Sequence, residues 1–268
     1  MTTIVILTGS ELRHQFLRIY LSNINEIKVL TSFCESTKGN LNEKINLTKN
    51  NTLRNKHLDY RSQSEKDFFE TYTNGIIDKS NPKIIKRGEI NDAKYVNEIK
   101  KLNPDLLIAY GCSIIRSELL DVFVGKFINI HLGLSPYFRG SGTNFWPFVE
   151  NKLSLVGTTF MHIDEGIDTG KIIHQIRAKM VSGDNIHTIG NRLIKDSVIE
   201  CSKLIINFKK LNNISLKKPN SFSKVYRNKD FTEESVQMAY NQLNLKIDDY
   251  ILNKESYDEQ FPIIKNLV

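Results

Sequence analysis

The sequence has little of what marks several large classes of protein. Three of its 268 residues are cysteines, and none has CxxC spacing, which argues against a disulfide framework and a structural zinc site. Six prolines and fourteen glycines are too few for a fibrous or low-complexity chain. No run approaches the roughly 20 apolar residues that cross a bilayer, and the opening MTTIVILTGS lacks the basic leader of a signal peptide. We therefore expect a soluble, cytoplasmic protein with no membrane partner.

The first turn also lacks the glycine pattern of a dinucleotide site. TGSELRH offers only Gly9, not G-x-G-x-x-G, so close backbone approach to a pyrophosphate is not provided. The same turn places Ser10, Arg13 and His14 at the start of a predicted helix, where backbone N–H groups attract phosphate. Ser10 and Arg13 are therefore candidates to bind a substrate phosphate. Ordinary capping with an exposed arginine explains the pattern equally well.

Acidic residues are outnumbered, since 37 Lys and Arg against 30 Asp and Glu give a formal net charge of +7. The excess is concentrated in residues 36–61, with six basic side chains, and in 209–229, with seven and no acid. Basic stretches can bind nucleic acid, phosphorylated metabolites or anionic lipid, and they also occur as solvated surface. Charge alone does not decide among these roles.

Apolar runs alternate with segments of helical spacing along most of the chain. Strands are predicted at 4–7, 27–33, 84–85, 106–110, 127–130, 155–162 and 171–177. Helices are predicted at 11–21, 65–77, 92–102, 114–122, 144–150 and 185–208, and the polar tract 35–62 is predicted to be a long loop with little helix. This alternation predicts an α/β fold, a mostly parallel Rossmann-like sheet with helices on both faces.

The pattern changes after Leu211, where a basic linker (212–220) leads to KVYRNKDFT and then to two short amphipathic helices. We expect a catalytic domain at 1–211 and a small C-terminal appendage at 212–268, too small to be a confident independent domain. In the appendage, Tyr226 and Phe231 could anchor KVYRNKDFT at the sheet edge.

Polar residues interrupt a strand that is otherwise apolar, in the stretch FINIHLGLSPYFRG (127–140). Asn129 and His131 are two positions apart, so they project from one face, where burial is costly unless they are paired. A second polar cluster follows in VGTTFMHIDEGIDTGKIIHQ (156–175). If Asp168 folds back over His131, the carboxylate would orient the imidazole and favour its charged form. An amide beside an imidazolium is what the tetrahedral oxyanion of an acyl transfer needs.

Other interpretations of these residues remain open. Asn129 could be an edge-of-sheet amide, and His131 a satisfied core histidine. His131, His162, Asp164 and Asp168 are also ligand types for a hydrolytic metal site, but HExxH or HxH spacing is missing, so we expect no metal.

Taken together, NIH, the P-x-x-R-G loop and GTTFMHIDEGIDTGKIIHQ resemble the catalytic core of formyltransferases that use N10-formyltetrahydrofolate. Methionyl-tRNA, glycinamide ribonucleotide and sugar N-formyltransferases belong to this group. PDLLIAYGCSIIRSELLDVFVGKF, which precedes these motifs, also matches the family's strand and helix entering the site. The resemblance covers about 100–180 closely and the rest of the sheet domain more loosely, and the combination is highly specific.

The resemblance implies roles for individual residues. The catalytic set would be Asn129, His131 and Asp168. The folate co-substrate would be held, mostly through backbone groups, by Ala109, Tyr110, Gly111, Asp164, Glu165 and Gly166. Apart from the resemblance, Ser10 and Arg13 at the start of the first helix, with Arg139 and Gly140 in the loop after His131, are candidates to bind the acceptor. A primary amine would attack the formyl carbon while Asn129 and protonated His131 hold the oxyanion, and Asp168 would hold His131 and help a water to remove the amine proton.

The acceptor is less well defined by the resemblance. Methionyl-tRNA formyltransferases carry a larger C-terminal β-barrel, and the charge from residue 209 onward is nearly balanced here, ten basic against eight acidic residues, which argues against tRNA. A phosphorylated acceptor, an amino sugar linked to a nucleotide, suits the chain's size and positive balance best. Methionyl-tRNA, glycinamide ribonucleotide, a formyltetrahydrofolate hydrolase and an inactive binding protein remain alternatives, and a homodimer is possible.

Overall fold

Seven strands form the central sheet of the computed structural model, which describes residues 1–37, 52–211 and 223–266. They are β1 (Thr2–Gly9), β2 (Ile27–Glu35), β3 (Pro82–Ile85), β4 (Leu106–Tyr110), β5 (Phe127–His131), β7 (Gly157–Met161) and β8 (Ile172–Arg177). Two further strands, β6 (Phe138–Gly140) and β9 (Lys224–Tyr226), pair with each other in a separate sheet. β6 lies in the loop that follows β5.

Eight α-helices accompany the strands in the described ranges. They are α1 (Leu12–Ser22), α2 (Leu53–Gly75), α3 (Ala93–Leu102), α4 (Ser117–Leu120), α5 (Trp146–Val149), α6 (Ile186–Asn207), α7 (Glu233–Leu252) and α8 (Lys254–Glu259). Short 3₁₀ turns lie at Glu89–Asn91, Leu153–Leu155, Phe208–Lys210 and Asn228–Asp230. The long helices begin at side-chain caps: Asn185 accepts from the backbone of the first turn of α6, and Thr232 does so for α7.

The strands of the central sheet lie in the order β3-β2-β1-β4-β5-β7-β8. The first five are mutually parallel, whereas β7 runs antiparallel to both β5 and β8. The chain starts in the middle of the sheet with β1. It adds β2 and β3 on one side of β1 and then β4 and the later strands on the other side, so the strand order reverses between β1 and β4. In open sheets of this kind, ligands bind beyond the carboxyl ends of the strands at such a reversal.

Apolar side chains cover both faces of the parallel strands, which explains their unbroken hydrophobic sequence. Alternate residues of β4 and β5 enter two different clusters. One cluster lies against α1 and α6, and it contains Ile108 and Ile130. The other lies against α3 and α4, and it contains Leu107 and Phe127. The predicted α/β architecture, mostly parallel with helices on both faces, is confirmed.

The prediction of a loop with little helix over 35–62 is wrong from residue 53 onward. Residues 38–51 lie outside the described ranges, but α2 begins at Leu53, capped by the Thr52 side chain, which accepts from the Asn55 backbone N–H. The helix carries few apolar residues, so periodicity could not reveal its first part. It is held instead by packing of single residues, such as Leu58, which is 4% exposed.

The C-terminal segment also differs from the prediction. Most of the predicted pair of short helices is one helix, α7, twenty residues long, followed by the short α8. KVYRNKDFT does not join an edge of the central sheet, because β9 pairs with β6. Tyr226 and Phe231 are buried, as expected of anchors, in a cluster that also contains Phe148 and Val236.

Smaller differences concern element ends. The predicted helices 114–122 and 144–150 shrink to the single turns α4 and α5, and the predicted strand 155–162 shortens to β7. The predicted linker 212–220 lies outside the described ranges, and the domain boundary at 211 stays a prediction. None of the helices in the described part of the chain is both long enough and apolar enough to cross a membrane.

Candidate active site

Strand β5 presents its polar residues on one face. Ile128 and Ile130 enter the cluster against α1 and α6, so Asn129 and His131 lie on the opposite face of the strand. Asn129 is half-buried between Ala109 of β4 and the partner strand β7. His131 is buried, with 7% of its surface exposed.

The loop between β7 and β8 brings Asp168 to His131. Asp168 Oδ1 lies 3.3 Å from His131 Nδ1, and Asp168 Oδ2 accepts a hydrogen bond of 2.8 Å from the backbone N–H of Gly140. Asp168 has φ of +52°, a left-handed conformation that aspartate adopts more readily than most residues. The geometry that the sequence hypothesis required, a carboxylate folded over the imidazole, is present.

This loop is shaped by its own contacts. Asp164 Oδ1 accepts from the Gly166 N–H at 3.0 Å and from Thr169 Oγ1 at 2.7 Å, which makes a compact turn. A Cβ at Gly170 would overlap the His162 carbonyl oxygen, so only glycine permits this close approach. The candidate folate residues Asp164, Glu165 and Gly166 are exposed in this turn.

The second nitrogen of His131 has a partner that the sequence did not suggest. His131 Nε2 lies 3.0 Å from the backbone carbonyl oxygen of Phe138 in β6. Both ring nitrogens therefore face acceptors, Asp168 on one side and a carbonyl on the other. Only the doubly protonated imidazolium can donate to both.

Polar side chains of β7 and β8 support the loop that follows His131. Thr159 Oγ1 accepts from the Ser135 N–H at 2.9 Å and donates to the Gly133 carbonyl at 2.7 Å. Gln175 Nε2 donates to the Ser135 carbonyl at 2.7 Å, and its Oε1 accepts from the Ile264 N–H at 3.0 Å. Nothing in the local sequence pattern marks Thr159 and Gln175, because their partners are brought together only by the sheet.

The first turn of α1 is less available to a ligand than its sequence suggests. Arg13 donates to Glu65 at 2.7 Å and lies 3.3 Å from Glu11, so two carboxylates already neutralise it. Burial lowers the pKa of Arg13, but Glu65 and Glu11 outweigh it and raise that pKa above its usual range. Burial, reinforced by the Arg13 charge, lowers the pKa of His14 to about 4, although its Nδ1 lies 2.7 Å from Glu11 Oε2. Phosphate binding by Ser10 and Arg13 stays a prediction.

The end of β4 carries a buried hydroxyl. The Tyr110 ring packs edge-on against His14, at 4.8 Å between centroids, and burial raises the pKa of Tyr110. Its hydroxyl has no hydrogen-bond partner among the described residues. The next residue, Gly111, has φ of +67°, and a Cβ there would overlap His14 Nε2. Gly111 is exposed, while Ala109 is buried.

The assignment of folate-binding residues stays a prediction, since two of them, Ala109 and Tyr110, are buried and the other four are exposed. The two loops that contain them also expose an isoleucine each, Ile114 at 77% and Ile167 at 54%. Apolar surface beside exposed peptide groups is the usual lining of a small-molecule site. The exposed backbone of Gly111 and of residues 164–166 would supply the polar groups that hold the co-substrate, beside this apolar surface.

The loop that follows His131 packs on a tryptophan. Trp146 is buried, and its Nε1 donates to the Ser141 carbonyl at 2.8 Å. Arg139 lies on this loop, partly exposed, and its Nε has no partner among the described residues.

Across residues 1–37, 52–211 and 223–266, no three His, Cys, Asp or Glu side chains are grouped to hold a metal ion.

A family model described as formyl transferase matches residues 4–200 of the chain. A methionyl-tRNA formyltransferase from Thermodesulfovibrio yellowstonii is 33% identical over 107 residues, 39% of this chain and 34% of that relative. The chain therefore spans well under half of the length of this curated relative.

Solved structures resemble the chain over a larger part of its length. A sugar N-formyltransferase from Shewanella sp FDAARGOS_354 has a TM-score of 0.57 at 16% identity, over 90% of this chain and 87% of that one. A phosphoribosylglycinamide formyltransferase from Anaplasma phagocytophilum has a TM-score of 0.55 at 14% identity, over 78% and 87%. A formyltransferase from Anoxybacillus kamchatkensis, solved with UDP-4,6-dideoxy-4-formamido-L-AltNAc and tetrahydrofolate, has a TM-score of 0.50 at 20% identity, over 89% and 98%. At these identities the likeness shows the fold.

Proposed function

Because this chain belongs to the formyl transferase family, we propose that it transfers a formyl group from N10-formyltetrahydrofolate to a primary amine of a nucleotide-linked amino sugar. One observation carries the proposal of formyl transfer. Asp168 Oδ1 lies 3.3 Å from His131 Nδ1, on the face of β5 that also bears Asn129. An amide and an imidazolium oriented by a carboxylate match the charge that develops on a carbonyl oxygen during acyl transfer.

The co-substrate supplies an activated formyl carbonyl, and Ala109, Tyr110, Gly111, Asp164, Glu165 and Gly166 would hold it. A bond forms between the amine nitrogen and the formyl carbon, and the bond from that carbon to the folate nitrogen breaks. One proton passes from the amine to the folate nitrogen, by way of water near Asp168. The charge that develops on the formyl oxygen is stabilised by the Asn129 amide and by His131.

When His131 is protonated, each of its two ring nitrogens carries an N–H group that can donate a hydrogen bond. The one on Nδ1 is directed to Asp168 and keeps the ring oriented. The one on Nε2, 3.0 Å from the Phe138 carbonyl, is the donor we assign to the formyl oxygen, which it would share with that carbonyl. Donors held in place before the reaction cost no reorganisation when charge develops.

The C-terminal segment supports an amino sugar as the acceptor. After residue 223 the described chain forms one three-residue strand and two helices, packed on the loop that follows His131. The fold likeness extends over 90% of the chain with a sugar N-formyltransferase and over 78% with a phosphoribosylglycinamide formyltransferase. The nucleotide diphosphate of such an acceptor would find positive charge on this protein, whose net charge is +7.

Methionyl-tRNA is a second candidate acceptor, favoured by the 33% identity to a methionyl-tRNA formyltransferase over 107 residues. The catalytic residues would have the same roles with this acceptor. The two candidates differ in what carries the amine and in how strongly binding should depend on salt, because tRNA contacts release many counterions.

The purified protein should release tetrahydrofolate from N10-formyltetrahydrofolate only when an acceptor is supplied. We would incubate it with UDP- and dTDP-linked amino sugars, glycinamide ribonucleotide and aminoacylated initiator tRNA, and identify the formylated product by mass spectrometry. A formylated nucleotide sugar supports the proposal. Modification of tRNA alone would refute the sugar acceptor, and release without any acceptor would indicate a hydrolase.

A further inference from the structure

Strand β6 holds both members of the catalytic pair through its backbone. The Phe138 carbonyl lies 3.0 Å from His131 Nε2, and the Gly140 N–H donates to Asp168 Oδ2 at 2.8 Å. In an extended strand, the peptide groups of residues two apart point to the same side. One edge of a three-residue strand therefore contacts the imidazole and the carboxylate together.

The opposite edge of β6 is occupied by the C-terminal strand β9. The Tyr137 carbonyl accepts from the Lys224 N–H at 2.9 Å, and the Ser141 N–H donates to the Tyr226 carbonyl at 2.9 Å. These residues alternate with those that face the catalytic pair. β6 thus lies between β9 on one side and His131 with Asp168 on the other, and β9 is its only strand partner among the described residues.

A pair of such short strands is marginally stable without side-chain packing. Here the packing centres on Tyr226, which is 3% exposed. Its ring stacks on Trp146 at 4.3 Å between centroids and 7° between planes, and it faces Phe138 at 5.8 Å and 13°. Its hydroxyl donates to Glu150. The Tyr226 ring therefore clamps β9 and β6 together at the residue whose carbonyl faces His131.

We propose that Tyr226 is a positioning residue for the His131–Asp168 pair, acting through the backbone of β6. It touches neither catalytic side chain. It holds the Phe138 carbonyl and the Gly140 N–H at the places that orient the imidazole and the carboxylate. The inference rests on the proposed function for its kinetic consequence, and the C-terminal strand β9 thereby takes part in setting the catalytic geometry.

The test compares Tyr226→Ala with Tyr226→Phe, which retains the stacked ring and loses only the hydroxyl. Misplacing catalytic groups by about 1 Å can cost about 10²-fold in rate, so kcat of Tyr226→Ala should fall by about that factor. KM for the folate should change little, because no binding contact is removed. Tyr226→Phe should stay within about threefold of wild type, since it keeps the ring that clamps the strands. Val225→Thr is a matched control on the same strand, since Val225 is 39% exposed.

A second readout follows His131 itself. Nitrogen-15 NMR of the imidazole reports the protonation and hydrogen bonding of Nδ1 and Nε2, and both signals should move in Tyr226→Ala while staying in place in Val225→Thr. A folded Tyr226→Ala protein with wild-type kcat and unchanged His131 signals would overturn the proposal. So would a loss that appears only as a higher KM for the acceptor, because that result would make Tyr226 a binding residue.

Two outcomes call for additional measurements. If circular dichroism shows that Tyr226→Ala does not fold, Tyr226→Leu fills more of the volume without a planar ring, and the same two readouts decide. If the wild-type protein formylates none of the acceptors, the proposed function fails. The NMR comparison alone then decides whether Tyr226 positions His131.

Discussion

Two groups of buried histidines in this molecule differ in what faces their rings. His131 has an acceptor at each nitrogen, the Asp168 carboxylate and the Phe138 carbonyl. His57 and His187 instead share the hydroxyl of Tyr240, at 3.2 Å from His57 Nδ1 and 3.0 Å from His187 Nε2.

The surroundings of the second group keep both rings neutral. Burial, reinforced by the neighbouring His187 and Arg61, lowers the pKa of His57 to about 3. Burial and Arg61 lower the pKa of His187 to about 4. Burial alone therefore does not distinguish the two groups. They differ in their partners, because acceptors face both ring nitrogens of His131, whereas His57 and His187 share one hydroxyl.

Of the substitutions that test this comparison, replacement of His131 should cause the largest loss of activity. In His131→Ala the negative charge that develops on the formyl oxygen loses one hydrogen-bond donor, which lowers kcat by a factor on the order of 10² to 10³. Asn129→Ala should show a loss of the same order for the same reason. Steady-state formyl transfer, with circular dichroism to confirm folding, measures both effects.

His187→Gln is the matched control for that comparison, since it changes a buried histidine that contacts neither Asn129 nor Asp168. Its kcat should stay near that of wild type. A fully active His131→Ala protein would remove His131 from the catalytic set. An inactive but folded His187→Gln protein would show that the two histidine groups are not functionally distinct.

The substitution Asp168→Asn should have the next largest effect. The new amide could keep the left-handed backbone and the acceptor for the Gly140 N–H, but it would remove the charge beside His131. We expect kcat to fall by about 10²-fold, within the range for loss of acid–base assistance, at nearly constant KM for the folate. Equal kcat for this variant and the wild type would mean that Asp168 only shapes its loop.

The neutral histidines should make the protein sensitive to acid. The pKa values of His57 and His187 in the folded protein, about 3 and about 4, lie below the ordinary 6.5. Between about pH 4 and about pH 6.5 the unfolded chain therefore binds more protons than the folded protein does. Stability is therefore fully present above about pH 6.5 and is lost as pH falls toward 4. At about 1.4 kcal/mol per pKa unit, each histidine should lower the free energy of unfolding by about 2 kcal/mol between about pH 6.5 and pH 5.

Urea denaturation at about pH 7 and about pH 5 measures this difference. His57→Gln should show a smaller drop than wild type, because one of the groups that take up protons on unfolding is gone. The slope between the two pH values is the informative quantity, since the substitution also changes stability at neutral pH. An unchanged slope would mean that His57 is not kept neutral in the folded protein.

The smallest effects concern two glycines. A Cβ at Gly133 would lie 2.7 Å from His131 Nε2 and 2.6 Å from Thr143 Cβ, whereas a Cβ at Gly75 would meet nothing within 4 Å. Gly133→Ala should cost about 1–3 kcal/mol of stability through overpacking and should also lower kcat. Gly75→Ala, at the end of α2, should be neutral or stabilising by up to about 1 kcal/mol. Thermal denaturation of both variants measures the difference in stability. Equal midpoint temperatures for Gly133→Ala and Gly75→Ala would contradict the close packing around His131.

Much of the sheet was readable from the sequence because its strands are buried on both faces and therefore appear as apolar runs. The predicted strand 106–110 coincides with β4. The start of α2 could not be predicted from the sequence, because a helix that is polar over most of its surface has too weak a hydrophobic periodicity. Asn129 and His131 were recognisable as a pair because alternation along one strand puts them on one face.

The partners of the site were not readable in the same way. Glu65 neutralises Arg13 from a distance of 52 residues, and Gln175 supports Ser135 from 40 residues away. No local spacing relates such pairs. Asp168 likewise contacts His131 and Gly140, 37 and 28 residues away, from a left-handed backbone that its sequence did not mark.

By itself the sequence indicated the seven strands of the central sheet, most of the helices, and the face of β5 that carries Asn129 and His131, because periodicity is a property of the local chain. Only the tertiary structure decided that His131 Nε2 faces a carbonyl of β6, and that β9, far along the chain, pairs with the other edge of that strand. The physical reason is that backbone hydrogen bonds between strands carry no sequence signature, since every peptide unit offers the same donor and acceptor.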